Sequence, residues 1–150
     1  MTDSIKSQID TLKSEANSYK KLEDYGKAEN CILKGLELKV NDNVLKHELA
    51  KIYFKREKYA DSLELLLDLS SKIKRRQILF KDIAMCHYKM NKLEKALEAV
   101  QVSLSENSNN ISSLFVEGLI YREQGSFSES ISSFKRLLKL DSNNRDALYQ

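Results

Sequence analysis

The chain has 150 residues, 41% of them hydrophobic and 31% charged, with 25 Lys and Arg against 22 Asp and Glu for a formal net charge of +3. That composition excludes a disordered chain, and the near balance of charge excludes the strong basic field that binding to nucleic acid or an anionic membrane would need. Proline is absent and only four glycines occur, where average usage would supply about seven prolines, so the chain reads as almost entirely helical.

In chain order, Thr2, Asp3 or Ser4 caps a first helix, and Ile5, Ile9 and Leu12 then recur at helical spacing, so this helix starts upstream of the first repeating segment. That segment, 9–42, sets Leu12, Ala16 and Tyr19 against Ala28, Ile32, Gly35 and Leu36 across a turn at Glu23 to Gly26. The next, 43–76, sets Leu49, Ala50 and Tyr53 against Tyr59, Ser62, Leu63, Leu66 and Leu69. It is the least regular, because Lys46 stands where Leu12, Phe80 and Leu114 stand elsewhere. Segment 77–110 places Phe80, Ile83, Ala84 and His87 against Leu93, Ala96, Leu97, Val100 and Leu104. In 111–144, Leu114, Gly118 and Tyr121 form one stripe, and Phe127, Ser130, Ile131, Phe134, Leu137 and Leu138 form another. Ser126 and Glu129 there have the spacing of a capping box. Residues 145–150 open a fifth segment, with Leu148 in the register of Leu114, and this reads as the N-terminal piece of a longer protein starting at Met1.

A shift of 34 residues superposes Ala16, Ala50, Ala84 and Gly118. It also aligns Tyr19, Tyr53, His87 and Tyr121, then Tyr25, Tyr59, Leu93 and Phe127, and finally Ala28, Ser62, Ala96 and Ser130. Small columns let two helices approach where they cross, and aromatic columns fill the wedge between neighbours. The pattern resembles the tetratricopeptide repeat (TPR) family over residues 9–144. The resemblance implies an all-α, right-handed helical solenoid of four two-helix motifs plus the start of a fifth, organised as one domain over residues 1–150. The family's boundary proline is missing, its slots being Val40, Lys74, Ser108 and Ser142, which removes the residue that would stop the second helices from running on into the turns.

No residue set argues for catalysis, a cofactor or a metal. Cys31 and Cys86 lack metal-ligand spacing and read as reduced, half-buried fillers of a cytoplasmic protein. His87 replaces a packing tyrosine, and Cys86 beside it points about 100° away around the helix. The basic surplus, densest at Lys72, Lys74, Arg75 and Arg76, is either a solvated turn or a patch for an acidic partner. No apolar run reaches the roughly 18 residues that span a bilayer.

In TPR proteins the first helix of each motif lines a concave groove that binds peptides or helices of partner proteins. Carried over, the resemblance implies a lining of Lys13 and Asn17, His47 and Lys51, Lys81 and Met85, then Phe115, Val116 and Leu119, charged at first and apolar at the end. The last three are either an anchor pocket or the seat of a further helix. Lys13 and Asn17 match the start of the family's clamp for chaperone C-terminal carboxylates, but Glu48, Ile78 and Asp82 break it, so no such clamp is expected. The expected function is a non-catalytic interaction scaffold with a protein or peptide partner, open to self-association at its C-terminal end. The alternative is the regulatory or substrate-recruiting arm of a larger enzyme, such as a glycosyltransferase, truncated here. RNA binding ranks last, for want of recurrent base-reading pairs and positive charge.

Overall fold

The computed structural model describes residues 3–72, 77–143 and 148. Lys74, Arg75 and Arg76 of the basic cluster, and all of the fifth segment except the exposed Leu148, lie outside the described residues. Among the described residues there are eight α-helices and no strand, so the protein is an all-α helical repeat of four two-helix motifs. The chain divides into two compact units, Met1–Leu69 and Ser70–Gln150.

The first unit holds α1 (Asp3–Lys21), α2 (Tyr25–Leu38), α3 (Asn43–Lys55) and α4 (Tyr59–Ser70, whose last residue falls past the division). Its core gathers Ile9, Ala16, Ala28, Cys31, Ile32, Leu45, Leu49 and Ile52, with Tyr19, Tyr25, Leu36, Tyr53 and Leu65 packed against it. Each fully buried Leu or Ile in such a cluster contributes roughly 1.5–3 kcal/mol. The Ser62 hydroxyl, in the small-residue column of α4, donates to the Ala50 carbonyl of α3 at 2.8 Å. Lys46, in a slot that is apolar in the other motifs, reaches Asp68, 3.8 Å away.

The second unit holds α5 (Gln77–Lys89), α6 (Leu93–Glu106), α7 (Ile111–Glu123) and α8 (Phe127–Leu140). Its central helix is α7, which touches α5, α6 and α8. That position buries Ser113, Leu114, Val116, Glu117, Gly118 and Ile120, more than one stripe of the helix. Polar groups caught there are paired. The Ser133 hydroxyl donates to the Glu117 carboxylate at 2.7 Å, the Ser103 and Ser113 hydroxyls share a 2.7 Å bond, and Ser130 donates to the Gly118 carbonyl at 2.9 Å. The last of these reproduces the Ser62 bond two motifs earlier.

One turn recurs in every motif at 34-residue intervals. Glu23, Glu57, Asn91 and Gly125 take left-handed backbone, with φ of 57°, 60°, 57° and 78°. Around each, two amides satisfy the carbonyls of the last helical turn: Ser126 N–H donates to Tyr121 at 2.9 Å and Gly125 N–H to Arg122 at 3.0 Å. The other three turns repeat that Schellman pattern. The first turn is therefore centred on Glu23, and Gly26 already lies inside α2.

Helix ends correct two expectations. The missing prolines do not let second helices run on: α2, α6 and α8 stop at Leu38, Glu106 and Leu140, where the chain swings into extended backbone. Side-chain caps then start the next helix, Asp42 accepting from Val44 and Leu45 N–H at 2.9 and 3.1 Å, and Asn110 from Ser113 N–H at 3.0 Å. The capping box at Ser126 and Glu129 does not form, because the Ser126 side chain makes no cap bond and Glu129 takes a 2.7 Å bond from the Ser128 hydroxyl. Asp24, with a similar backbone angle at the same slot of the first motif, does cap, since its longer side chain reaches Lys27 N–H at 3.0 Å.

Candidate functional site

In the first unit the expected lining residues sit on α1 and α3. Lys13 and His47 are half-buried, and Asn17 and Lys51 are exposed. The two helices are joined by charge, because Glu48 accepts from Lys20 at 2.6 Å and from Lys51 at 2.9 Å. Burial pushes the Glu48 carboxyl up, but the two ammonium groups outweigh it and hold the group below the usual carboxylate range. Lys51 is thus committed to a neighbouring carboxylate, and the face it shares with Asn17 is a set of matched charges. It can orient a polar ligand more readily than it can capture a lone anion.

In the second unit the expected residues sit on α5 and α7. Lys81 and Met85 are half-buried, and Lys81 pairs with Asp82 beside it. Phe115 and Leu119 are half-buried as well, and the Phe115 ring packs edge-on to Phe134 with centroids 5.8 Å apart. Val116 is only 3% exposed, because α7 is packed against α5, α6 and α8, so it does not line an open face. Met85, Phe115 and Leu119 are the apolar residues of the expected lining that keep accessible surface in this unit.

A cavity of about 300 Å³ lies elsewhere in the second unit, lined by Phe127, Ser130, Ile131, Phe134 and Leu138 with the basic Arg122 and Lys135. None of the nine expected lining residues borders it. The sequence places Phe127, Ser130, Ile131, Phe134, Leu137 and Leu138 of α8 on one apolar stripe. In the structure it divides: Ser130, Phe134 and Leu137 are buried, while Phe127 and Ile131 remain 64% and 53% exposed. The readable signal was width, since a stripe from Phe127 through Ile131 to Leu138 is broader than one helix contact covers.

Among the described residues no group of three or more His, Cys, Asp or Glu could hold a metal ion, and no helix is long and apolar enough to cross a membrane. Cys31 and Cys86 form no disulfide and are buried, deeper than expected. Burial, with Glu15 close by, pushes the Cys31 thiol up and leaves it a poor nucleophile. The His87 Nδ1 is buried without a hydrogen-bond partner. Burial lowers its pKa, and Lys92 and Lys95 lower it further against an opposing pull from Glu98. The residue is a neutral packing group in a tyrosine column.

The family described as Tetratricopeptide repeat matches residues 14–42 and 111–144, the first and fourth motifs. No curated protein matches the sequence. Among solved structures, a thermophilic TPR protein of Thermus thermophilus, TTC0263, superposes with a TM-score of 0.81 at 17% identity, covering 89% of this chain and 75% of its own. YrrB, described as a TPR protein with an unusual peptide-binding site, gives 0.78 at 16% identity over 98% of this chain and 75% of its own. The first TPR of Spaghetti (RPAP3), solved bound to the HSP90 peptide SRMEEVD, gives 0.68 at 18% identity over 71% and 85%.

Proposed function

Because the chain belongs to the tetratricopeptide-repeat family, we propose that it is a non-catalytic scaffold whose first helices hold a peptide or helix of a partner protein. The observation that carries this reading is the contrast between the two helix faces. The small columns at Ala16, Ala50, Ala84 and Gly118 are buried, while Asn17, Lys51, Met85 and Leu119 on the same helices keep accessible surface. The structures of YrrB and Spaghetti, which bear the same fold, support a peptide as the kind of ligand. In the first unit, α1 and α3 offer a ligand paired charges that set its direction; in the second, Met85 of α5 and Phe115 and Leu119 of α7 offer surface for apolar side chains. The test is retention of a partner from extract by the chain and by its Leu119→Asp variant, with circular dichroism to check that both are helical. Loss in a folded variant supports the reading, and undiminished retention refutes it.

The ligand proposed is not a chaperone carboxylate tail. Both carboxylates that interrupt the clamp already hold lysines, Glu48 taking Lys20 and Lys51 and Asp82 taking Lys81, so a ligand carboxylate would have to displace them. Titration calorimetry with the peptide SRMEEVD is expected to give no saturable heat at millimolar concentration. Micromolar binding would overturn this exclusion.

A further inference from the structure

We propose that Phe134, a residue of the second helix α8, positions the ring of Phe115 on α7, and that the fourth motif thereby selects an aromatic side chain of the ligand. The inference rests on the proposed peptide-binding role of the first helices and names the side chain that one of them receives.

Three departures from the repeat fall together in this motif. The lining slot that is Lys13, His47 and Lys81 upstream is Phe115, the small slot that is Ala16, Ala50 and Ala84 is Gly118, and the slot that is Ile32, Leu66 and Val100 is Phe134. The structure joins the three. Phe134 lies so close to α7 that a Cβ on Gly118 would stand 2.6 Å from its Cζ, and its ring centre is 5.8 Å from that of Phe115 at an interplanar angle of 63°. The missing side chain of Gly118 therefore admits the Phe134 ring, and that ring meets Phe115.

The contact is held from both helices. Ser130 and Ser133, on the turn of α8 that leads to Phe134, bond to the Gly118 carbonyl at 2.9 Å and the Glu117 carboxylate at 2.7 Å. Phe134 is 6% exposed, whereas Phe115 is half-buried, so Phe134 fills the space into which the Phe115 ring would otherwise turn. The lysines at this slot in the first and third motifs have flexible stems, but a ring held by another ring is ordered before a ligand arrives, which lowers the cost of binding. An oriented ring also discriminates by shape. Aromatic pairs gain beyond their buried area, an advantage of roughly two- to tenfold in affinity over an aliphatic side chain. Met85 and Leu119 supply apolar surface without that preference.

The probe is a peptide selected on the whole chain from a random-sequence library and kept only if Leu119→Asp abolishes its binding. Its apolar residues are exchanged between Phe and Leu one at a time, with affinities read by fluorescence anisotropy. At one position the parent chain is expected to favour Phe by roughly threefold or more. Phe115→Leu is expected to bring that ratio to about one, as is Gly118→Ala with Phe134→Leu, which rebuilds the alanine and leucine of the second motif, both variants remaining helical by circular dichroism. The ring itself is read without a peptide, from the fluorine NMR resonance of para-fluorophenylalanine placed at position 115, which is expected to move by several linewidths in the double variant. No preference in the parent, a preference that survives either variant, or a resonance that stays within one linewidth overturns the proposal. A library that yields no peptide dependent on Leu119 instead refutes the binding role of the face and takes the aromatic preference with it, while the fluorine resonance still decides whether Phe134 positions the ring.

Discussion

At the fourth motif Gly118 and Phe134 are a matched pair. A Cβ on Gly118 would lie 2.6–2.8 Å from three atoms of the Phe134 ring, which is itself buried against Phe115. The other motifs solve the same crossing with alanine opposite an aliphatic residue, Ala16 with Ile32, Ala50 with Leu66 and Ala84 with Val100 in the equivalent slots. Gly118→Ala alone is therefore expected to cost about 1–3 kcal/mol by overpacking, and Phe134→Leu in that background to recover most of it, measured by urea denaturation in a double-mutant cycle. His87 carries a pH signature for a similar reason. Lys27 and Lys58 lie 5.5 and 5.1 Å from the ring centres of Tyr19 and Tyr53. Lys92 occupies the slot of Lys58 and Lys95 the slot of Lys27, so the cations that stabilise a tyrosine ring oppose a protonated imidazole. With the folded-state pKa below the ordinary 6.5, the neutral ring's contribution to stability is complete above pH 6.5 and is lost as pH falls toward the folded value. His87→Tyr is expected to flatten the melting temperature between about pH 5 and 7, and an unchanged slope would refute this origin.

The recurring element is the left-handed turn, and its residues are unequal. Gly125 adopts its φ of 78° with open space where a Cβ would project, so Gly125→Ala meets backbone strain and no clash. The expected loss is about 1 kcal/mol, and Glu57→Gly, at φ of 60°, is expected to gain a similar amount or less, both by thermal melts. Only the fourth turn was legible from its glycine. In the other three, Glu23, Glu57 and Asn91 are polar residues of ordinary appearance, and the conformation is imposed by two backbone hydrogen bonds that composition does not reveal. Helix starts divide the same way: Asp42 and Asn110 are recognisable caps, whereas Ser126 has the right spacing but too short a reach.

For the whole molecule, the 34-residue period was sufficient to give the helix count, pairing and small-residue contacts, because each depends on spacing within one motif. The candidate site was less legible. Whether Val116 lines a face or lies beneath it depends on how many helices surround α7, and periodicity in α7 alone does not contain that number. The opposite holds for α8, whose outer half stays exposed although its sequence stripe looks complete. Charge along the chain yields a prediction at this scale. A ligand oriented by Lys13, Asn17 and Lys51 is expected to bind several-fold more weakly between about 0.05 and 0.5 M salt, and Lys13→Glu with Lys51→Glu to remove most of that dependence. Equal salt slopes in the parent and the variant would place the charged contact elsewhere.

The buried bond from Ser133 to Glu117 has a counterpart in the first motif, where the Cys31 thiol lies 3.7 Å from Glu15. In the middle motifs the same two slots hold Leu49 with Leu65 and Ile83 with Ala99. Polar meets polar or apolar meets apolar, and the two members come from different helices of one motif. A motif exchanged as a whole cassette, cut in the segment before Asp42 or Asn110, therefore keeps the couple at these two slots intact, although the Ser103–Ser113 bond crosses the second cut. A chimera joined at a left-handed turn would pair a buried carboxylate with a leucine, so the natural unit of recombination in this chain is the helical hairpin and not the helix.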